Sequence, residues 1–299
     1  MSARVSTYLT FRRALGYKLR IEGQMLQNFA RYADRAGHRG PLTRSLALRW
    51  AALPRGADRV YQARRLETVR VFAKHQVVTE PATEIPPRQA LGPAHRRNAP
   101  HLYSPTEVGQ LLRRAADLPG RLRPAAYKTL LGLLACTGLR ISEALALQIS
   151  DVDLEHGVLT VRETKYHHTR LVPLHPTTLT PLKHYARRRQ KLFPCAQHFF
   201  VSDRGRRFAY TTVRMVFREL ADGFVPNSNR RHVRLHDLRH TFACRVLLGW
   251  QRSKRGAVGR MTILSRYLGH QRVSDTYWYL SATPELLTEA ARRFVPSQK

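Results

Sequence analysis

The sequence predicts a mainly helical protein with one small β-sheet or hairpin, an α+β chain in two domains. Three observations carry that expectation. Apolar residues recur at three- and four-residue intervals along most of the chain, the spacing that lays a stripe along one side of a helix. Residues 157–163 and 169–174 instead alternate or are β-branched and flank a polar tip, which is hairpin chemistry. Residues 81–100 contain Pro81, Pro86, Pro87, Pro93 and Pro100 with Gly92, a composition that gives extended, semi-rigid linkers. The expected division is a helical domain over 1–80, a proline-rich linker over 81–100 and a second domain over 101–299.

Within the first domain, Tyr8, Phe11 and Leu15 form one apolar stripe, and Met25, Leu26, Phe29 and Tyr32 form another. Gly16 and the Gly37–Gly40 region break them. A short segment through Leu46, Leu48, Trp50 and Leu53 ends at Pro54, because a helix interior does not tolerate proline. A longer helix is expected from Asp58 to Gln76, turning Tyr61, Leu66, Val69 and Phe72 toward the core. Its other face is read as carrying Arg59, Arg64, Arg65, Arg70 and Lys74. Little acid balances them, so phosphate contact is preferred to simple solvation, and Arg96 and Arg97 of the linker join that set.

The second domain opens on Ser104-Pro105-Thr106-Glu107: serine to cap, proline for the first helical position, and glutamate to complete a capping box. A helix from Pro124 to Cys136 stops at Thr137-Gly138. The hairpin follows, with Thr164-Lys165-Tyr166-His167-His168 at its tip. Helices are expected again at 177–191, 211–222, 236–249, 260–268 and 283–294.

The charge balance narrows the function. Lys+Arg number 52 against 20 Asp+Glu, a formal net charge of +32, and the excess runs along the whole length. No detachable basic tail accounts for it, so the folded surface bears it and attracts polyanions, nucleic acid foremost. An arginine-rich codon bias is the bland alternative for part of the excess. The three cysteines, Cys136, Cys195 and Cys244, are far apart, which excludes a disulfide framework or a cysteine zinc site and suggests small buried side chains. There is no apolar run long enough for a membrane span and no signal-peptide pattern at the start, so a cytoplasmic, DNA-associated protein is expected.

The chemistry concentrates in three boxes: Thr137-Gly138-Leu139-Arg140-Ile141-Ser142-Glu143, then His236-Asp237-Leu238-Arg239-His240, then Leu268-Gly269-His270 with Tyr279 nine residues on. Arginine pairs bidentately with phosphate oxygens and keeps its charge. A tyrosine phenol attacks once deprotonated and leaves an ester that can be attacked again. His236 and Arg239, three apart on a helix, can reach one phosphate. Asp237 suits the positive start of that helix, and Arg140 opens another, where free backbone N–H groups favour anions. Glu143 and His240 are read as orienting or hydrogen-bonding neighbours. Tyr267 and Tyr277 compete with Tyr279 for the nucleophile role, which the spacing from Leu268-Gly269-His270 gives to Tyr279, and Tyr277 and Trp278 are read as core or packing aromatics. Isolated acidic residues make two-metal nuclease chemistry hard to assemble; neither a metal nor any other cofactor is expected.

These boxes resemble the tyrosine recombinase (phage integrase) family over about residues 100–295, and the helical first domain is similar to that family's core-binding domain. The family's signature falls, in order, on Arg140, Lys165, His236, Arg239, His270 and Tyr279. The resemblance implies a site-specific recombinase or integrase of a mobile element, gripping duplex DNA between two basic domains. Tyr279 would form a 3′-phosphotyrosyl link, Lys165 would protonate the leaving 5′ oxygen, and neither metal nor ATP would be needed. It further implies a homo-tetramer on a specific double-stranded DNA site, acting alone or beside related recombinases, with the 283–294 helix packing on a neighbour. The alternative is a DNA-binding accessory subunit without catalysis.

Overall fold

A computed structural model describes residues 1–53, 56–95, 99–162, 169–225, 232–252, 260–270 and 272–281. The chain divides into two compact units, Met1–Arg97 and Asn98–Lys299. It is mainly α, with one three-stranded antiparallel sheet in the second unit.

Among the described residues, four helices build the first unit: α1 (Ser2–Ala14), α2 (Arg20–Arg35), α3 (Arg44–Ala52) and α4 (Arg59–Thr79). Their core is Val5, Tyr8, Leu9, Met25, Leu26, Phe29, Leu46, Trp50, Leu66, Val69 and Phe72. Tyr8 meets Phe72 and Phe29 meets Trp50 edge to face, each with ring centroids 5.3 Å apart. The α1 stripe differs from expectation. Val5, Tyr8 and Leu9 go inward, while Phe11 is 48% exposed and Leu15 58%. Tyr61 is likewise exposed rather than in the core. Residues beyond 80 are not a free spacer. Ile85 and Leu91 pack on the four-helix core, Glu84 N–H donates to Leu42 O at 2.8 Å, and Arg70 Nε donates to Pro86 O at 3.0 Å.

The five basic residues of α4 do not share one face. At about 100° per residue, Arg64 and Arg65 point well away from Arg59, Arg70 and Lys74. Arg65 lies over the Trp50 ring at 3.8 Å and donates to Trp50 O at 2.7 Å, so it is occupied with packing. Arg70 is tied to Pro86. Arg59 and Lys74 are exposed, and Arg64 forms a loose pair with Glu22 at 3.6 Å. Arg96 and Arg97 lie outside the described residues.

In the second unit the capping box forms as read: Glu107 N–H donates to Ser104 Oγ at 3.1 Å and Ser104 N–H to Glu107 Oε2 at 2.7 Å, starting α5 (Pro105–Ala116). Helix α6 (Arg123–Thr137) is the centre of this unit. Tyr127, Leu130, Leu131, Leu133 and Leu134 are all buried, because α5 and later helices cover it on several sides. It ends at Gly138, which is left-handed at φ +63°. A Cβ there would sit 2.5 Å from Phe242 Cδ1. Gly138→Ala is therefore expected to cost about 2–5 kcal/mol, combining roughly 1–2 for the left-handed backbone with about 1–3 for overpacking. A fall in denaturant midpoint at unchanged slope would register it.

After the short α7 (Ile141–Ala144), strands β1 (Val152–Asp153), β2 (Val158–Val161) and β3 (Arg170–Pro173) form the sheet in the order β1-β2-β3. Val161 pairs with Arg170 at the end nearest the hairpin tip, whose residues 163–168 lie outside those described. Helices α8 (Pro176–Leu192), α9 (Tyr210–Leu220), α10 (Leu235–Arg252), α11 (Arg260–Leu268) and α12 (Ser274–Ser281) complete the unit. The pattern reading had no helix at α12, and the one it placed at 283–294 lies outside the described residues. Cys244 is buried, but Cys136 and Cys195 are exposed, against expectation: Cys136 sits on the open side of α6 and Cys195 in a loop. Among the described residues, no helix is long and apolar enough to cross a membrane.

Candidate active site

Two left-handed glycines at helix ends build the site. Gly138 closes α6 and Gly269, at φ +67°, closes α11. Helix C-termini carry partial negative charge and unpaired carbonyls, and here they receive guanidinium groups. Arg239, on the first turn of α10, donates from Nη1 to Gly138 O at 2.8 Å and from Nη2 to Leu268 O at 2.6 Å. Arg140, at the residue preceding α7, donates from Nη2 to Gly269 O at 2.8 Å. Consecutive carbonyls, Leu268 and Gly269, thus bring together two arginines 99 positions apart in the chain.

The start of α10 is fixed by its own capping. Asp237, fully buried, accepts from Arg234 N–H and from Arg234 Nη2, both at 2.9 Å. Thr241 Oγ1 donates to Asp237 O and accepts from Tyr103 N–H, again at 2.9 Å. His236 and Arg239 ride on that anchored turn.

Tyr279 projects from α12 and is 2% exposed, packed with Ala243, Cys244, Leu247, Leu264 and Leu268. The Arg239 guanidinium lies near enough to its phenol to act on the phenol's titration. Burial pushes the phenol's pKa up, and the Arg239 and Arg140 charges oppose that rise. Two histidine rings flank it: His270 nearly parallel at 6.0 Å and His240 at 5.3 Å between centroids. His240 in turn meets His236 edge to face at 4.7 Å. His270 Nδ1 shares a 2.7 Å hydrogen bond with the buried Thr276 hydroxyl, which orients the ring.

The structure therefore gathers Arg140, His236, Arg239, His270 and Tyr279 in one place. Lys165 lies outside the described residues. Tyr267, the other competing tyrosine, stacks on Phe242 at 5.7 Å. Tyr277 is 54% exposed on α12, contrary to the packing role read for it. One participant was missed altogether. Arg170, on β3, donates from Nη1 and Nη2 to Glu143 Oε1 and Oε2 at 3.1 and 2.7 Å, and from Nε to Tyr267 O at 2.9 Å. Glu143 also accepts from Arg140 Nη1 at 2.8 Å and from Arg140 N–H at 2.9 Å. A single carboxylate thus bridges two arginines, as its reading as an orienting residue anticipated.

Positive charge dominates the site and its titration. Desolvation, then Arg239 and Arg234, hold the His236 pKa down to about 4, with Asp237 opposing and Arg140 adding to the fall. Desolvation, then Arg239 and Arg140, hold the His270 pKa down to about 3. Both rings are neutral at pH 7. For each the folded value lies below the unfolded one, so the unfolded chain binds more protons as pH falls and stability is lost below about pH 6.5. Glu143, whose pKa burial raises but its two arginines lower overall, adds its own loss only below its ordinary value of 4.5. The expected result is a falling unfolding midpoint between pH 6.5 and 4.5, flattened in a His236→Asn/His270→Asn variant. An unchanged slope in that variant would contradict the assignment.

Comparison with known proteins agrees with this geometry. Residues 103–285 match the phage integrase family. The Sinorhizobium fredii protein y4rB, named as an integrase/recombinase, is 39% identical over 301 residues, covering 97% of this chain and 95% of its own. Tyrosine recombinase XerC of Chlorobaculum parvum is 30% identical over 249 residues, 76% of this chain and 70% of its own. Among solved structures, XerA recombinase superposes with a TM-score of 0.53 at 25% identity over 99% of this chain and 98% of that one. The Tn1549 transposon integrase in complex with transposon right end DNA gives 0.73 at 16% identity, over 98% of each chain. Fold and comparisons together place the protein among DNA recombinases. The chain belongs to the phage integrase family, the tyrosine recombinases.

Proposed function

We propose that the protein is a site-specific recombinase or integrase of a mobile element, cutting and rejoining DNA through a 3′-phosphotyrosyl intermediate without metal or ATP. The observation that carries this reading is the gathering of Arg140, Arg239, His236 and His270 around the buried Tyr279 phenol, with two helix-end carbonyls holding the Arg239 guanidinium in place.

Arg239 and Arg140 bind the non-bridging oxygens of the scissile phosphate and stabilise the charge that builds on the pentavalent phosphorus. The Tyr279 oxygen attacks phosphorus, its proton passes to a neutral histidine, and the bond from phosphorus to the 5′ oxygen breaks. Lys165, at the hairpin tip, gives that oxygen its proton. Binding a phosphodiester raises the pKa of His236 and His270, because negative charge favours their protonated forms. Both are then better proton acceptors with substrate than without. A 5′-hydroxyl from another strand reverses the steps.

Exposed Arg59 and Lys74, with Arg64, are the basic residues of α4 available to DNA phosphates. Arg96 and Arg97 are proposed beside them. The λ integrase tetramer bound to a Holliday junction shares this fold with a TM-score of 0.64. We read this chain, too, as a homo-tetramer on a specific duplex site in the cytoplasm. The test is a nicked duplex spanning the element's ends, incubated with the protein in EDTA. An SDS-resistant protein–DNA band supports the reading. Tight binding without such a band contradicts it and favours the accessory-subunit alternative.

A further inference from the structure

Arg170 stands at the meeting of three segments: the β3 strand that leads out of the hairpin tip, the Glu143–Arg140 pair of α7, and the turn that closes α11. All three of its hydrogen bonds are positional. The two to Glu143 form a fork on a carboxylate that is itself 7% exposed, and the third fastens Nε to the Tyr267 carbonyl. Glu143 passes the constraint on, since its Oε1 accepts from both Arg170 Nη1 and Arg140 Nη1. Space at the turn is reserved for this arrangement. A Cβ on Gly269 would meet Arg170 Nη1 at 2.8 Å and Arg140 Nη1 at 3.3 Å.

We propose that Arg170 is a positioning residue for the recombination chemistry: through Glu143 it sets the Arg140 guanidinium against the scissile phosphate, and ties that setting to the hairpin strand. The inference rests on the proposed phosphotyrosyl reaction. Its physical basis is that Glu143 with one arginine is a mobile ion pair, whereas Glu143 clamped by a second, planar fork has a fixed orientation. A misplacement of about 1 Å in a phosphate-binding group costs on the order of 100-fold in rate. Lysine in its place keeps the charge but cannot span both Glu143 oxygens and the Tyr267 carbonyl.

The test uses the full chain, and single-turnover cleavage of two substrates: the ordinary phosphodiester and one with an uncharged methylphosphonate at the scissile position. A neutral phosphorus centre needs less cationic stabilisation, so a defect that acts through Arg140 shrinks on it. Arg170→Lys is expected to lower the cleavage rate by about 10- to 100-fold on the phosphodiester at unchanged DNA affinity. On the methylphosphonate the loss should be at least several-fold smaller, in parallel with Arg140→Lys. Equal losses on both substrates, or a wild-type rate, would overturn the proposal. Arg170→Met, assayed in the same way, decides the question should the lysine variant prove unstable. If the wild type itself forms no Tyr279-dependent adduct, the proposed reaction fails and not the Arg170 assignment.

Discussion

Tyr279→Phe is expected to abolish cleavage, by more than about 1000-fold, while leaving DNA affinity nearly intact. The substitution removes one buried oxygen and nothing else. The ring stays packed among Ala243, Cys244, Leu247 and Leu268, so the fold keeps its apolar contacts. What is lost is a phenol oxygen close to the Arg239 guanidinium, a change of about 1–3 kcal/mol at most, the cost of leaving a buried polar group unsatisfied. That is small beside the loss of the phenol oxygen that the proposed reaction uses as its nucleophile. Fluorescence anisotropy for binding and denaturing gels for cleavage separate the two effects. Parallel loss of both would make the residue structural.

Arg239→Lys is expected to lower the single-turnover cleavage rate by about 100- to 1000-fold, the usual cost of one transition-state donor. It should also destabilise the second unit. Arg239 is 2% exposed, and its two terminal nitrogens satisfy Gly138 O and Leu268 O on different helices. A lysine ammonium is a single point and cannot reach both carbonyls and Tyr279 together, so a buried carbonyl is left unpaired, at about 1–3 kcal/mol. Rate at saturating DNA and the denaturant midpoint should both fall, and affinity far less. A normal rate with a lowered midpoint would reduce Arg239 to a structural strut.

Much of this was legible because its signals are local. The Ser104–Glu107 capping box, the Thr137-Gly138 stop of α6 and the hairpin strands each depend on residues within a few positions, and each forms where the sequence puts it. The five arginine, histidine and tyrosine positions could be read from their boxes without knowing how far apart the chain would carry them. What escaped reading is long-range. Arg170 meets Glu143 across 27 positions, and a lone arginine at a strand end carries no periodicity to mark it. Helix α12 has only eight residues, too few for a stripe to show. The α1 stripe was misassigned because Phe11 and Leu15 keep helical spacing from Tyr8, and only the packed partners reveal that Val5 and Leu9 are the ones covered. That the basic residues of α4 are spread over more than one face escaped reading for a related reason. Composition counts charges, while Arg65 is committed to the Trp50 ring and Arg70 to a carbonyl.

The central claim is that the phenol oxygen of Tyr279, beside Arg239, is the atom that joins DNA without a metal. The direct measurement is peptide mapping, by mass spectrometry, of the covalent adduct formed in EDTA on a nicked duplex. The account predicts a nucleotide-bearing peptide whose modified residue is Tyr279. A modification on Tyr277 or Tyr267, or an adduct that forms only when a divalent cation is restored, would contradict it.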